Sequence, residues 1–104
     1  MKRLVSCIIT TKNEEKVIKS LLSSIKTQSY KNFEIVLVDN YSTDKTRQIA
    51  KVFSARIFNK GPERSVQRNY GVTVSKGDYV LILDADMTLD KNVLKEGREK
   101  QNTY

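Results

Sequence analysis

The sequence predicts an α/β fold, a Rossmann-like three-layer sandwich around a mostly parallel sheet of about four strands. Three observations carry that expectation. Apolar runs of strand length alternate with stretches whose apolar residues recur at helical spacing. The segments between the runs are long enough for crossover helices, so the strands are expected to be parallel with right-handed crossovers. Polar clusters follow the apolar runs directly, and open α/β sheets bind ligands outside the carboxyl ends of their strands.

The elements follow in order. Residues 4–9 read as a first buried strand and 10–13 as a polar turn. Residues 14–26 carry Val17, Ile18, Leu21, Leu22 and Ile25 on one helical stripe. Asn13 is the candidate N-cap, and Glu14 and Glu15 suit the first turn of a helix dipole. A turn at 30–32 leads into a second strand, 33–38, which ends at Asp39. Ser42 or Thr43 is placed to cap a helix running roughly to Phe53, with Ile49, Ala50, Val52 and Phe53 facing inward. Residues 55–59 form a short third strand, and Gly61-Pro62 breaks the chain. Residues 63–74 form a third helix, less regular because it holds Gly71 and several β-branched residues. The turn 76–78 opens a fourth strand from Tyr79 to Leu83, expected to be buried on both faces, which delivers Asp84 and Asp86. Asp90 is placed to cap a last amphipathic segment reaching about Lys100, with Val93 and Leu94 inward and Gly97 weakening it.

The 104 residues are expected to form a single domain, with no repeat, linker or low-complexity tract. A hydrophobic content of 38% and a charged content of 30% match an ordinary globular protein. No apolar run approaches the roughly 18 residues of a membrane span. The start of the chain resembles a signal peptide only superficially, because polar residues and no small-residue cleavage site follow it. Net charge is +7, from 19 basic and 12 acidic residues. That surplus suits a phosphate-bearing ligand or an anionic membrane surface, and equally a solvated lysine-rich face. Nucleic acid fits poorly, because the basic residues are scattered and no aromatic stacking motif accompanies them. The single cysteine, Cys7, lies in an apolar strand and is expected in the core. There is no histidine, so metal ligation and general-base chemistry by imidazole are excluded.

Three polar clusters, 10–14, 39–44 and 84–86, follow three strands that should end on one sheet edge. Taken singly, each has a plainer explanation. Asn13, Ser42 and Asp90 suit helix caps, and Asp84-Ala85-Asp86 suits a turn stabilised by its own side chains. Together they form one wall of a ligand site. Two carboxylates alone would repel a nucleoside diphosphate. A bound Mg²⁺ or Mn²⁺ reverses that sign and stabilises charge growing on a departing diphosphate. Octahedral coordination needs only one or two protein carboxylates, which Asp84 and Asp86 can supply.

Four motifs now stand in order: 5–14, the Val38-Asp39-Asn40-Tyr41-Ser42-Thr43-Asp44 run, Gln67-Arg68-Asn69-Tyr70-Gly71, and 77–86. Together they resemble family 2 glycosyltransferases of the GT-A fold, over about residues 4–95. The resemblance implies binding of a nucleotide-sugar donor, most often a UDP-sugar, and transfer of its sugar to an acceptor that the sequence does not identify. It implies that Thr10, Lys12 and Glu14 border the nucleoside and that Asp39 and Asn40 hydrogen-bond the base. It implies that Arg68 approaches base or phosphates with Asn69 beside it, that Asp84 lies near ribose or metal-bound water, and that Asp86 holds the metal. From the residues alone, Arg68 and Asn69 also suit a solvated helix face, and Lys12 an exposed turn.

The chain departs from the family pattern at several positions. Proline is common where Thr10 stands, an aromatic residue at Lys12, aspartate at Asn40 and glycine at Tyr41. Family members usually run well over twice this length, and their later segment supplies the acceptor site and the catalytic base. Glu96 and Glu99 match no such base, so the catalytic residue is unassigned.

The expected function is therefore that of the donor-binding portion of a GT-A enzyme, whether a truncated piece, a natural fragment or a minimal family member, in the cytoplasm or at its membrane surface. Two other readings stay open: a nucleotide-sugar-binding module without turnover, and a receiver-like signalling domain with acids at its strand ends. The missing part also implies an exposed apolar edge at residues 80–83, covered by the last helix or paired in a homodimer.

Overall fold

The computed structural model describes residues 3–99, with side chains through Gly97. Eight elements alternate: β1 (Val5–Thr11), α1 (Ile18–Lys26), β2 (Phe33–Asp39), α2 (Thr46–Val52), β3 (Arg56–Asn59), α3 (Arg64–Val74), β4 (Tyr79–Asp84) and α4 (Val93–Glu99). The sheet order is β3-β2-β1-β4, and every pairing is parallel. The chain steps outward from β1 to β2 to β3, and α3 then returns it past β1 to β4. The direction of winding reverses beside β1. The crevice outside the carboxyl ends of β1 and β4 is thus the topological switch point, where such sheets take ligands.

Alternation along each strand sorts side chains between two faces. Cys7 and Ile9 of β1, Leu37 of β2 and Leu83 of β4 pack in one cluster with Ile18, Leu21, Leu22 and Ile25 of α1, Ala50 of α2 and Leu94 of α4. On the other face Ile8, Val36 and Val38 pack beneath Phe58, Tyr70 and Val74. The helix over that second face, α3, lies close to the sheet at Gly71. A Cβ there would stand 2.5 Å from Ile8 Cγ2 and 3.3 Å from Val38 Cγ2. Cys7 is fully buried as expected, and burial, with help from nearby Glu34, pushes its thiol up to about 12.

Several local expectations are corrected. Helix α1 begins at Ile18, not Glu14, and Val17 is 37% exposed. Asn13 does not cap α1; it takes φ 53° in the left-handed region and turns its side chain to the loop after β2. Ser42 does not cap α2, which starts four residues later at Thr46. Val52, expected inside, is 80% exposed. Asp90 meets the start of α4 through its main-chain carbonyl, which accepts from Val93 N at 3.2 Å. The expected helix end at Lys100 lies outside the described residues.

The fourth strand is not buried on both faces. It is an edge strand, and Val80 and Ile82 are 41% and 44% exposed on the α3 side, because α3 packs over β1 and β2. On its opposite face Leu83 is 2% exposed and shares a cluster with Leu94 of α4, so α4 covers that face and not the whole strip 80–83.

Candidate functional site

The register brings the polar clusters together. Thr11 lies opposite Asp39, and Thr10 lies opposite Asp84. Three strand ends therefore meet at the switch point, and the loops after β1 and β2 interlock above them. Ser42 Oγ accepts from Asn13 N at 2.7 Å, Thr46 Oγ1 from Glu14 N at 2.8 Å, and Asp44 Oδ2 from Glu15 N at 3.1 Å. In return Asn13 Oδ1 accepts from Thr43 N at 2.8 Å, and Glu15 Oε1 from Lys45 N at 2.9 Å. Side chains of the second loop thus satisfy the amide donors before α1 that local caps would otherwise take.

Asp39 anchors this assembly. It is fully buried, its Oδ1 accepts from Thr11 Oγ1 and Ser42 Oγ at 2.6 Å each, and its Oδ2 accepts from Ser42 N at 2.8 Å. Arg47 Nη1 lies 3.7 Å from the same oxygen. Gln67, buried on α3, ties the strand ends from the other face: Nε2 donates to Thr11 O and Val38 O at 2.9 Å each. Gln67 and Thr11 lie within the quoted motifs, but the sequence assigns neither of them a role. The available signal was that Gln67 stands on the same helical stripe as Tyr70, Gly71 and Val74, a polar member of an inward face.

Asn40 is half-buried where β2 leaves the sheet. Its Nδ2 donates to Pro62 O at 3.0 Å, and its Oδ1 accepts no hydrogen bond from a described residue. The carbonyl rests against Gly61, where a Cβ would stand 2.2 Å from it. Next in the chain, Tyr41 is 58% exposed with φ 48°, a conformation glycine adopts at no steric cost. That explains the glycine usual at this position in the resembled family.

The acids form one wall of the crevice. Glu14 lies within electrostatic reach of Asp86, Asp44 and Asp84. Desolvation first, and then these neighbours, raise its carboxyl above the ordinary range, while Arg64 opposes them. Asp84 and Asp86 are exposed, and Asp86 makes no hydrogen bond or ion pair with a described residue. The facing wall is the first turn of α3. Arg64 Nη1 lies 3.8 Å from Asp84 Oδ1, and Arg68 follows four residues on, half-buried and without an ion partner among the described residues. Arg64 was also missed, although helical spacing alone places it on the face of Arg68.

Of the remaining candidates, Thr10 is 5% exposed at the end of β1, while Lys12 and Asn69 are exposed and Lys12 meets no described partner. Glu96 is remote from this set. It follows residues 90–92, which bond Gln28 and Ser29 beyond the carboxyl end of α1, at the opposite end of the sheet.

Among the described residues no group of three or more acidic or cysteine side chains is placed to hold a metal. The donor chemistry nevertheless fits Mg²⁺ or Mn²⁺ in the presence of a diphosphate. Asp84 and Asp86 are hard oxygen donors facing solvent, and such a cation needs only one or two protein carboxylates when phosphate and water supply its other ligands. No helix among the described residues is long and apolar enough to cross a membrane.

Comparison with known proteins agrees with this geometry. The family described as "Glycosyl transferase family 2" matches residues 6–103. The chain is 32% identical to the glycosyltransferase GlyG of Streptococcus pneumoniae, over 91% of this chain and 34% of that protein. It is 34% identical to the poly(ribitol-phosphate) beta-N-acetylglucosaminyltransferase TarS of Staphylococcus aureus, over 88% of this chain and 18% of that protein. The chain thus spans about a third or less of these relatives' length. Among solved structures, TarS 1-349 in complex with UDP superposes with a TM-score of 0.85 at 32% identity, over 99% of this chain and 32% of that one. The mannosyltransferase PcManGT of Pyrobaculum calidifontis, solved with GDP-Man and Mn²⁺, has a TM-score of 0.83 at 24% identity, over 95% of this chain and 32% of that one, and shares the fold. Four parallel strands wound about a switch point, an acid wall at their carboxyl ends and a family match over nearly the whole chain lead to one assignment: this chain belongs to glycosyl transferase family 2.

Proposed function

We propose that the chain forms the donor site of a glycosyltransferase and binds a nucleoside-diphosphate sugar, most simply a UDP-sugar, together with Mn²⁺ or Mg²⁺. The observation that carries this reading is the meeting of three strand ends at the switch point. It gathers Glu14, Asp84 and Asp86, with Arg64 of α3 beside Asp84 and Arg68 one turn further along the same helix. The acids suit a divalent metal, and the arginines and the start of α3 suit the phosphates that the metal bridges. TarS, similar over 99% of this chain, was solved with UDP and with UDP-GlcNAc, which supports uracil as the base.

Within this reading Asp39 and Asn40 divide the work at the base. Asp39 holds the loops in place with Thr11 and Ser42, and the unpaired carbonyl of Asn40 is the group available to a uracil N–H. Thr10, Lys12 and Glu14 flank the nucleoside. Asp86 and Asp84 are the residues that would hold the metal, which when bound would supply positive charge to the diphosphate. Transfer itself, displacement of that diphosphate by an acceptor hydroxyl, is proposed for the protein as a whole.

Isothermal titration with UDP and UDP-sugars, with and without Mn²⁺, tests the proposal. Metal-dependent binding is expected, and no binding under either condition contradicts it. Glu96 starts from the far end of the sheet, and this favours a second reading, donor binding by this chain without turnover. Metal-dependent release of UDP from a UDP-sugar by the chain alone would refute it.

Two partner proposals accompany the site. The open edge of β4, with Val80 and Ile82 exposed, supports self-association as a homodimer. The +7 charge supports attachment to an anionic membrane surface, which co-sedimentation with anionic vesicles would test.

A further inference from the structure

The ion pair between Arg64 and Asp84 bridges the two walls of the crevice, and the family resemblance gives Arg64 no role. Three ion pairs occur among the described residues. Arg47 with Asp39 lies beneath the interlocked loops, and Arg56 with Glu34 lies at the other end of the sheet. Only Arg64 reaches an exposed acid of the crevice, at 3.8 Å, with side chains 60% and 57% exposed. A contact so long and so open to water holds its partners loosely and exchanges readily.

We propose that Arg64 is the resident counter-charge of the Asp84-Ala85-Asp86 motif and a phosphate ligand in waiting. It neutralises Asp84 while no metal is present. It yields that carboxylate to the metal of an arriving metal–nucleoside diphosphate and turns to a phosphate oxygen of the same ligand. This rests on the donor-site reading above and adds a residue that governs the order of charges within it.

Asp84 and Asp86 stand exposed two residues apart, and among the described residues Arg64 is the one cation that pairs with either. A doubly charged metal outcompetes a single guanidinium for Asp84 at short range. The displaced side chain is long, rooted on the first turn of α3 and beside Arg68, so it needs only rotamer changes to face the diphosphate. A guanidinium can then bond two phosphate oxygens at once, which an ammonium cannot match.

The proposal predicts opposite changes in two affinities. Mn²⁺ is titrated into the full chain without nucleotide, with free Mn²⁺ followed by electron paramagnetic resonance. UDP is then titrated at saturating Mn²⁺. In Arg64→Gln, Mn²⁺ alone should bind several-fold more tightly, because its competitor is gone. UDP should bind roughly tenfold more weakly, because a charge-assisted phosphate contact is lost. Arg64→Lys should fall between the two proteins for UDP. Arg64 is exposed, so the melting temperature should stay at the wild-type value. A residue with only a structural role would weaken both affinities together, and that result, or no change in either, overturns the inference. If wild-type protein binds UDP with Mn²⁺ while Arg64→Gln is indistinguishable from it, the role of Arg64 alone is wrong. If wild-type protein binds no UDP, the donor-site reading falls and this inference falls with it.

Discussion

Glu14 shows what a single side chain at the crevice costs the fold. Desolvation and the carboxylates of Asp86, Asp44 and Asp84 hold its pKa above the ordinary value in spite of Arg64. An acid raised in the folded state destabilises it once ionised. The penalty is absent below the unfolded pKa and complete above the folded one. Glu14→Gln should therefore raise stability near neutral pH by something below about 1 kcal/mol, discounted for solvent screening. In thermal melts that gain should vanish as pH falls through the carboxylate range; a gain that persisted in acid would contradict the cause. Gly61 offers a second test. A methyl group there would meet the end of the Asn40 side chain, not main chain, so Gly61→Ala should fold normally. It should still weaken UDP binding about tenfold in calorimetry, by turning the Asn40 carbonyl away from the base. At this scale the sequence was informative about chemistry and poor on partners. Asn13 and Ser42 have the residue types of helix caps, yet they bond each other's loops across 29 and 30 residues of chain. No local pattern encodes such a pairing.

Elements were legible where periodicity alone decides them. The strand–helix alternation, the inward stripe of Ile18, Leu21, Leu22 and Ile25, and the strand ends at Asp39 and Asp84 all follow from spacing. Boundaries were lost where tertiary contacts replace the cap, as before α1. Between elements, Gln67 makes the clearest tie, joining α3 to the carbonyls of Thr11, the last residue of β1, and Val38, the last but one of β2. Gln67→Leu should remove this donor from both carbonyls, with Thr11 O keeping its bond from Asn40 N, and cost about 1 kcal/mol in chemical denaturation. At the other end of the sheet Glu34 fastens the turn between α3 and β4. It accepts from Ser6 Oγ at 2.6 Å, Lys76 N at 2.6 Å and Arg56 Nη1 at 2.8 Å. Desolvation pushes its pKa up, but these bonds outweigh it and hold the carboxyl below the ordinary range. An acid lowered in the folded state contributes stability above its unfolded pKa, which is lost as pH falls through the folded one. Wild-type protein should lose that stability in acid, whereas Glu34→Gln should start less stable at neutral pH and change less on acidification.

At the scale of the whole molecule, one face of the sheet is covered by α1, α2 and α4, and the other by α3 alone. This asymmetry follows from the reversal of winding at β1 and leaves Val80 and Ile82 in water. The run from Tyr79 to Leu83 is apolar throughout, so its composition could not show that one face lies open; only strand order does. Light scattering over a range of concentrations should show the chain self-associating, and Ile82→Lys should reduce it by placing a charge on that strip. A strict monomer at high concentration would count against the homodimer.

The same reversal creates the crevice in which Asp84 and Asp86 stand, and the central claim is that these acids bind a metal–nucleoside diphosphate. Titration of UDP into the wild-type chain and into Asp86→Asn, each with and without Mn²⁺, tests it most directly. Wild-type protein is predicted to bind UDP more tightly when Mn²⁺ is present, and Asp86→Asn to lose that enhancement while keeping its fold. Equal UDP binding by the two proteins in Mn²⁺, or no dependence on the metal in either, would contradict the claim.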